Sequence, residues 1–80
     1  MEKSEIIQKV NEFLIDEFEV DESKISPDSN LKTDLGIDSL DFIDIAIIVE
    51  KTFKFKIKAE DLVNVSTLDN FYDYIQANCQ

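Results

Sequence analysis

The sequence has no histidine, arginine or tryptophan, and one each of glycine, proline and cysteine in 80 residues. Each scarcity excludes something. Without histidine the chain lacks the commonest general base and the commonest metal ligand, so self-contained acid–base catalysis is disfavoured and no metal site is expected. The lone Cys79 rules out a disulfide within the chain and fits a reducing compartment. It reads as a frayed terminal thiol. So few turn formers argue against an all-β fold and for a helical one. No apolar run is long enough to span a bilayer, and no N-terminal stretch joins basic residues to an apolar run. A cytoplasmic protein with no stable membrane insertion is therefore expected.

What is abundant is acid. Eighteen Asp and Glu stand against eight lysines, a net charge of −10. Nucleic acid is an unsuitable partner for such a surface, because phosphate binding needs cationic groups. Basic protein surfaces suit it, with long-range attraction steering the encounter. Apolar residues make up 44% of the chain and recur periodically, which separates it from a disordered acidic tail. Eighty residues allow one domain, 1–80, with one small core. A deep catalytic cleft is hard to build at that size; presenting a surface or a tethered group is easier.

The periodicity predicts an all-α fold. Ile6, Ile7, Val10, Phe13, Leu14 and Phe18 mark a first helix over about residues 4–18. A long connection follows, from Glu19 to Asp38, holding the turn formers Ser26, Pro27, Asp28, Ser29 and Asn30. Val20, Ile25, Leu31 and Leu35 are scattered through it, as in a loop packed onto a core. A second helix is predicted from an N-cap at Asp38 to about Phe53, with Asp41 suiting the helix dipole. Lys54 to Lys58 alternates like an edge strand, but nothing else offers a strand partner. An extended loop anchored by Phe55 or Ile57 is the better reading. Ala59 to Val63 suggests a short helix, and Ser66 or Thr67 can cap a last helix carrying Leu68, Phe71, Tyr72 and Ile75. The sum is a small four-helix bundle of three main helices and one short one, with a long loop between the first and second.

The segment Asp34-Leu35-Gly36-Ile37-Asp38-Ser39-Leu40 holds the only glycine, two residues before the predicted cap. Glycine permits positive φ and close approach of another backbone. The chain should turn tightly and then open a helix, leaving Ser39 exposed at its first position. Ser39 is a poor nucleophile on its own account, since no histidine is available to activate it. A hydroxyl modified by another enzyme fits better. A phosphate placed there would gain from the helix dipole and free N–H groups. Asp38 and Asp41 oppose it, so a partner's cation or a bound metal must offset the repulsion during transfer.

These seven residues resemble the carrier motif of acyl carrier proteins, in which Asp-Ser-Leu marks the attachment site. The similarity extends over nearly the whole chain, through the first-helix apolar positions, Val20, Ile25, the long loop, Phe53, Ile57, and Thr67-Leu68 to Tyr74-Ile75. The resemblance implies 4′-phosphopantetheine, taken from coenzyme A and joined to Ser39 by a phosphopantetheinyl transferase. The arm's thiol would hold acyl groups as thioesters for fatty-acid biosynthesis or a related specialised pathway. The chain itself would be a non-catalytic monomer. Asp38 before Ser39 resembles the fatty-acid type, whereas peptidyl carriers more often have histidine there. A polyketide or aminoacyl carrier, or an unmodified acidic interaction module, are the alternatives.

The second helix is apolar on more than one side. Phe42, Ile45, Ala46, Val49 and Phe53 form a core face, while Leu40, Ile43 and Ile47 follow a separate stripe. The resemblance makes this stripe, ringed by Asp38, Asp41, Asp44 and Glu50, a docking surface for acyl-chain synthases and transferases with basic surfaces. The alternative is that the long loop buries it. Four departures from the family pattern stand out: Glu19 where a glycine usually ends the first helix, Lys51 at a commonly acidic position, the basic run Lys54, Lys56, Lys58, and a bulky Phe42.

Overall fold

Four helices, and no strand among the described residues, make up the computed structural model, which describes residues 2–79. They are α1 (Lys3–Phe18), α2 (Ser39–Phe53), α3 (Ala59–Val63) and α4 (Leu68–Asn78), with a 3₁₀ turn at Glu22–Lys24. The helical bundle expected from the periodicity is the fold found. The 3₁₀ turn was not expected; Asp21 sets it, its carboxylate accepting from the Ser23 N–H at 3.0 Å and the Ser23 hydroxyl at 2.8 Å.

Helix α1 buries Ile6, Val10, Phe13 and Leu14, one stripe of its surface. It packs on α4, which buries Leu68, Phe71, Tyr72 and Ile75. Polar contacts fix the pairing. The Tyr72 hydroxyl donates to Asn11 Oδ1 at 2.6 Å, and burial pushes the phenol up to about 12. Lys3 Nζ lies 3.1 Å from Asp69 Oδ1 and 2.8 Å from Asp73 Oδ1. Helix α1 ends at Glu19 in the left-handed region, φ +55°, and the Val20 N–H reaches back to the Leu14 carbonyl at 3.1 Å. The position wants glycine for its backbone, so the chain tolerates strain there to turn Val20 into the core.

The long loop is packed, as its apolar residues suggested. Leu31 and Ile37 are buried, and Ile25 and Leu35 are half-buried against the same core. Backbone bonds tie the loop to the start of α4: Leu31 N–H to Ser66 O, Leu68 N–H to Ser29 O and Asp69 N–H to Pro27 O, each at 3.0 Å. Ser29 is buried and its hydroxyl donates to the Lys24 carbonyl. Thr67, rather than Ser66, caps α4, its Oγ1 accepting from the Asn70 N–H at 3.2 Å.

Residues 54–58 form the expected loop, with Ile57 buried and Phe55 half-buried. One expectation for the C-terminus is overturned. Cys79 is not frayed: its N–H donates to the Ile75 carbonyl at 2.8 Å, and its half-buried thiol sits 3.6 Å from the Phe53 carbonyl. The groups that α4's last turn leaves open, together with α2's end, hold it in place.

Candidate functional site

The site is built from the loop upward. Asn30 and Asp34 form a turn in which the Asn30 side chain accepts from the Lys32 and Thr33 N–H groups at 2.9 and 3.0 Å. Asp34 Oδ2 accepts from the Asn30 N–H at 2.7 Å. Ile37 is 2% exposed, and its N–H donates to the Leu31 carbonyl at 2.9 Å. Between these anchors Gly36 takes φ +72°. The positive φ was expected; the close backbone approach was not found, since a Cβ at Gly36 would meet nothing within 4 Å. Glycine is needed here for its dihedral, not for space.

The turn delivers Asp38 to the N-cap of α2. Asp38 Oδ1 accepts from the N–H groups of Leu40 and Asp41 at 3.0 and 3.1 Å, and Asp41 Oδ2 accepts from the Asp38 N–H at 3.2 Å. This reciprocal capping box uses an aspartate where glutamate or glutamine is usual. Ser39 is the first helical residue, exposed, with no partner for its hydroxyl among the described residues. The residue is thus held by rigid backbone on both sides while its side chain faces water.

One expectation about this helix start needs correction. The first-turn N–H groups are not free for an anion. Asp38 takes two of them, and the Phe42 N–H bonds the Asp38 carbonyl at 3.3 Å. Only the Ser39 N–H is left open to solvent. A phosphate on Ser39 would meet the carboxylates of Asp38 and Asp41 and find only the Ser39 N–H open to it. The exposed, unpartnered hydroxyl accommodates such a group without displacing any protein contact.

Helix α2 buries Phe42, Ile45, Ala46, Val49 and Phe53, the whole of the expected core face. Its other apolar stripe stands in solvent: Leu40 is 73%, Ile43 52% and Ile47 48% exposed. The loop does not cover these residues. Asp38, Asp44 and Glu50 are exposed around them, and Asp41 is half-buried by its capping role. Beside the stripe lies an open groove of about 220 Å³ lined by Glu17, Phe18, Asp44, Ile47 and Ile48. It escaped sequence reasoning because it depends on where the end of α1 crosses α2. Ile37 and Asp34 were noticed only as parts of a motif; their burial and bonding show that they place the serine.

Matches to known proteins agree with this geometry. The phosphopantetheine attachment site family matches residues 8–75. Two relatives are named acyl carrier protein: one from Coprothermobacter proteolyticus is 37% identical over 98% of this chain and 95% of its own length, and one from Rubrobacter xylanophilus is 33% identical over 94% and 93%. A third of the same name, from Phytoplasma mali, is 37% identical over 89% of this chain and 84% of its own. The fold and the exposed serine therefore define a phosphopantetheine-bearing carrier domain, and the chain belongs to the acyl carrier protein family.

Proposed function

We propose that Ser39 is the attachment point and that this single domain, residues 1–80, carries acyl groups as thioesters for fatty-acid biosynthesis or a related acyl pathway. The observation that carries this reading is the exposed hydroxyl of Ser39 at the first position of α2, held by the Gly36 turn and the Asp38–Asp41 box. Other serines differ. Ser29 is buried, Ser23 is bonded to Asp21, and Ser26 and Ser66 bond to neighbouring side chains. Ser4 is exposed in the first turn of α1, but that helix start has no glycine turn before it and no side-chain cap.

With no histidine in the chain, the base that deprotonates Ser39 belongs to the phosphopantetheinyl transferase. The protein's part is to present the hydroxyl on a fixed corner and to attract a cationic enzyme. A phosphodiester then joins Ser39 Oγ to the arm, and the arm supplies the thiol that takes up acyl groups. The acidic residues Asp38, Asp41, Asp44 and Glu50 around Leu40, Ile43 and Ile47 meet basic acyl-handling enzymes. The carrier is non-catalytic, monomeric and cytoplasmic in this reading. Among the described residues no helix is long and apolar enough to cross a membrane.

Intact mass after incubation with coenzyme A, Mg²⁺ and a broad-specificity phosphopantetheinyl transferase tests the proposal. The protein should gain one 4′-phosphopantetheine, and Ser39→Ala none. An arm on the Ser39→Ala protein sinks the assignment. No mass change on the unaltered protein would leave an acidic interaction module.

A further inference from the structure

Helix α2 does not present one charge to its partners. At about 100° per residue, Leu40, Asp44, Ile47, Lys51 and Lys54 fall on one stripe, and all five are exposed. Along it the order is Leu40, the acid Asp44, Ile47 and then the two lysines, with exposed Glu50 adjoining Lys51. The chain continues the basic end. In the loop after α2, exposure alternates: Ile57 is buried and Phe55 half-buried, while Lys54, Lys56 and Lys58 are exposed. Four of the eight lysines thus lie in eight consecutive residues at one end of the stripe.

Local structure accounts for Lys51 but not for the other three. Among the described residues the ion pairs are those of Lys3 with Asp69 and Asp73, so these four lysines relieve no acid by direct contact. Lys51 lies in the last turn of α2, where a cation suits the dipole. Lys58 occupies the N-cap of α3, the wrong end of a helix for a cation, and makes no side-chain cap. Lys54 sits at φ +64°, a backbone position glycine fills without strain.

The geometry points to a two-poled docking surface: α2 fits a protein partner that carries a cationic patch opposite Asp44 and a carboxylate patch opposite Lys51, Lys54, Lys56 and Lys58. The inference rests on the carrier reading above and specifies its partner. The poles, Asp44 and Lys54, are about 15 Å apart at ~1.5 Å per residue. Charges are screened beyond about 8 Å at physiological ionic strength, so a partner senses two patches and not their average. Such a surface fixes which way round the partner sits. It also repels an enzyme that is basic along its whole docking face. An anionic membrane is disfavoured as the occupant, because the net charge of −10 opposes it.

The test uses the full chain, the source organism's phosphopantetheinyl transferase and its acyl-loading enzymes. Loading rates are compared for the unaltered protein, Asp44→Lys, Lys54→Glu/Lys56→Glu/Lys58→Glu and the milder Lys54→Gln/Lys56→Gln/Lys58→Gln. Far-UV circular dichroism checks folding, and the Gln protein carries the result if the Glu protein does not fold. At least one acyl-loading enzyme should lose tenfold or more in kcat/KM on both Asp44→Lys and the Glu triple, with the Gln triple between. Binding to vesicles containing anionic lipid, lost in the Gln triple, would replace the protein partner with a membrane and overturn the proposal. If every enzyme loads the lysine variants as fast as the unaltered protein, or faster, the two-poled surface falls and the carrier reading stands. If the unaltered protein gains no arm at all, both fall.

Discussion

Leu40 and Phe42 are two residues apart on one helix, similar in apolarity and opposite in fate. Phe42 is fully buried beneath the bundle, and Lys32 Nζ lies 5.9 Å from its ring centroid. Leu40 is 73% exposed. A helix with a single task would need one apolar stripe. Here one stripe closes the core and another is left in solvent beside Ser39, so the proposed carrier role assigns stability to one face of α2 and recognition to the other. Mutations on the first should unfold the domain, and those on the second should leave it folded but poorly recognised.

The largest effect is expected on the buried face. Phe42→Ala should cost about 3–5 kcal/mol, the range for truncating a core phenylalanine. A domain of this length has roughly 4–12 kcal/mol in total at 0.05–0.15 kcal/mol per residue, so much of its stability would go. Urea unfolding followed by circular dichroism reads this directly. A loss below 1 kcal/mol would mean that the core closes over the gap and that the faces differ less than their exposure suggests.

Next comes the junction of the two faces. Asp38→Ala removes the acceptor for two N–H groups and should cost about 1 kcal/mol, within 0.5–2. Asp38→Asn should recover most of that, because asparagine is an equally good cap. If capping is the main role of Asp38, arm transfer to Ser39 should follow stability across this pair. Equally slow transfer to both variants, despite the stability that Asn recovers, would instead assign the Asp38 carboxylate to enzyme recognition.

The two left-handed caps sharpen the comparison further. Glu19 and Lys54 end α1 and α2 at φ +55° and +64°. Glycine at either should stabilise by about 0.5–1 kcal/mol, since it adopts positive φ without the Cβ penalty. Glu19 lies off the proposed docking stripe and Lys54 on it. Thermal unfolding should rise for both Glu19→Gly and Lys54→Gly, while loading should change only for the second. A fall in melting temperature for Glu19→Gly would show that its side chain stabilises more than its backbone strains.

Much of this was legible in the sequence, for a physical reason. Helix period, caps and turn residues act locally, so α1, α2, α3 and α4 fall where Ile6 to Phe18, Asp38, Ala59 and Thr67 place them. Ser39 stood out because the only glycine lies just before it. What was not legible depends on tertiary approach. The groove between Phe18 and Ile48 requires the crossing of α1 over α2, and the seating of Cys79 depends on the end of α2 reaching it. The occupied N–H groups at Ser39 required knowing that Asp38 turns its carboxylate inward across the first turn.

The smallest effect on stability, and the most informative about the exposed face, is expected from Leu40→Ala, Ile43→Ala and Ile47→Ala. Each side chain is about half or more in solvent, so each substitution should move stability by no more than about 0.5 kcal/mol. Binding to an acyl-handling enzyme should weaken far more. The minority of interface residues that cost more than about 1 kcal/mol when truncated, about fivefold in affinity, cluster near the interface centre, where the proposed docking puts this stripe. Salt distinguishes this apolar contribution from the charged one. Raising the salt to 1 M shortens the screening length to about 3 Å, so the penalty of Asp44→Lys should largely vanish while that of Ile43→Ala persists. Titrating the three alanine variants and Asp44→Lys against one partner at both ionic strengths would show it. If all four penalties fade together, the stripe is only a spacer between charges. If none does, the Asp44→Lys penalty is not a screened charge effect, and docking rests on close packing around Leu40, Ile43 and Ile47.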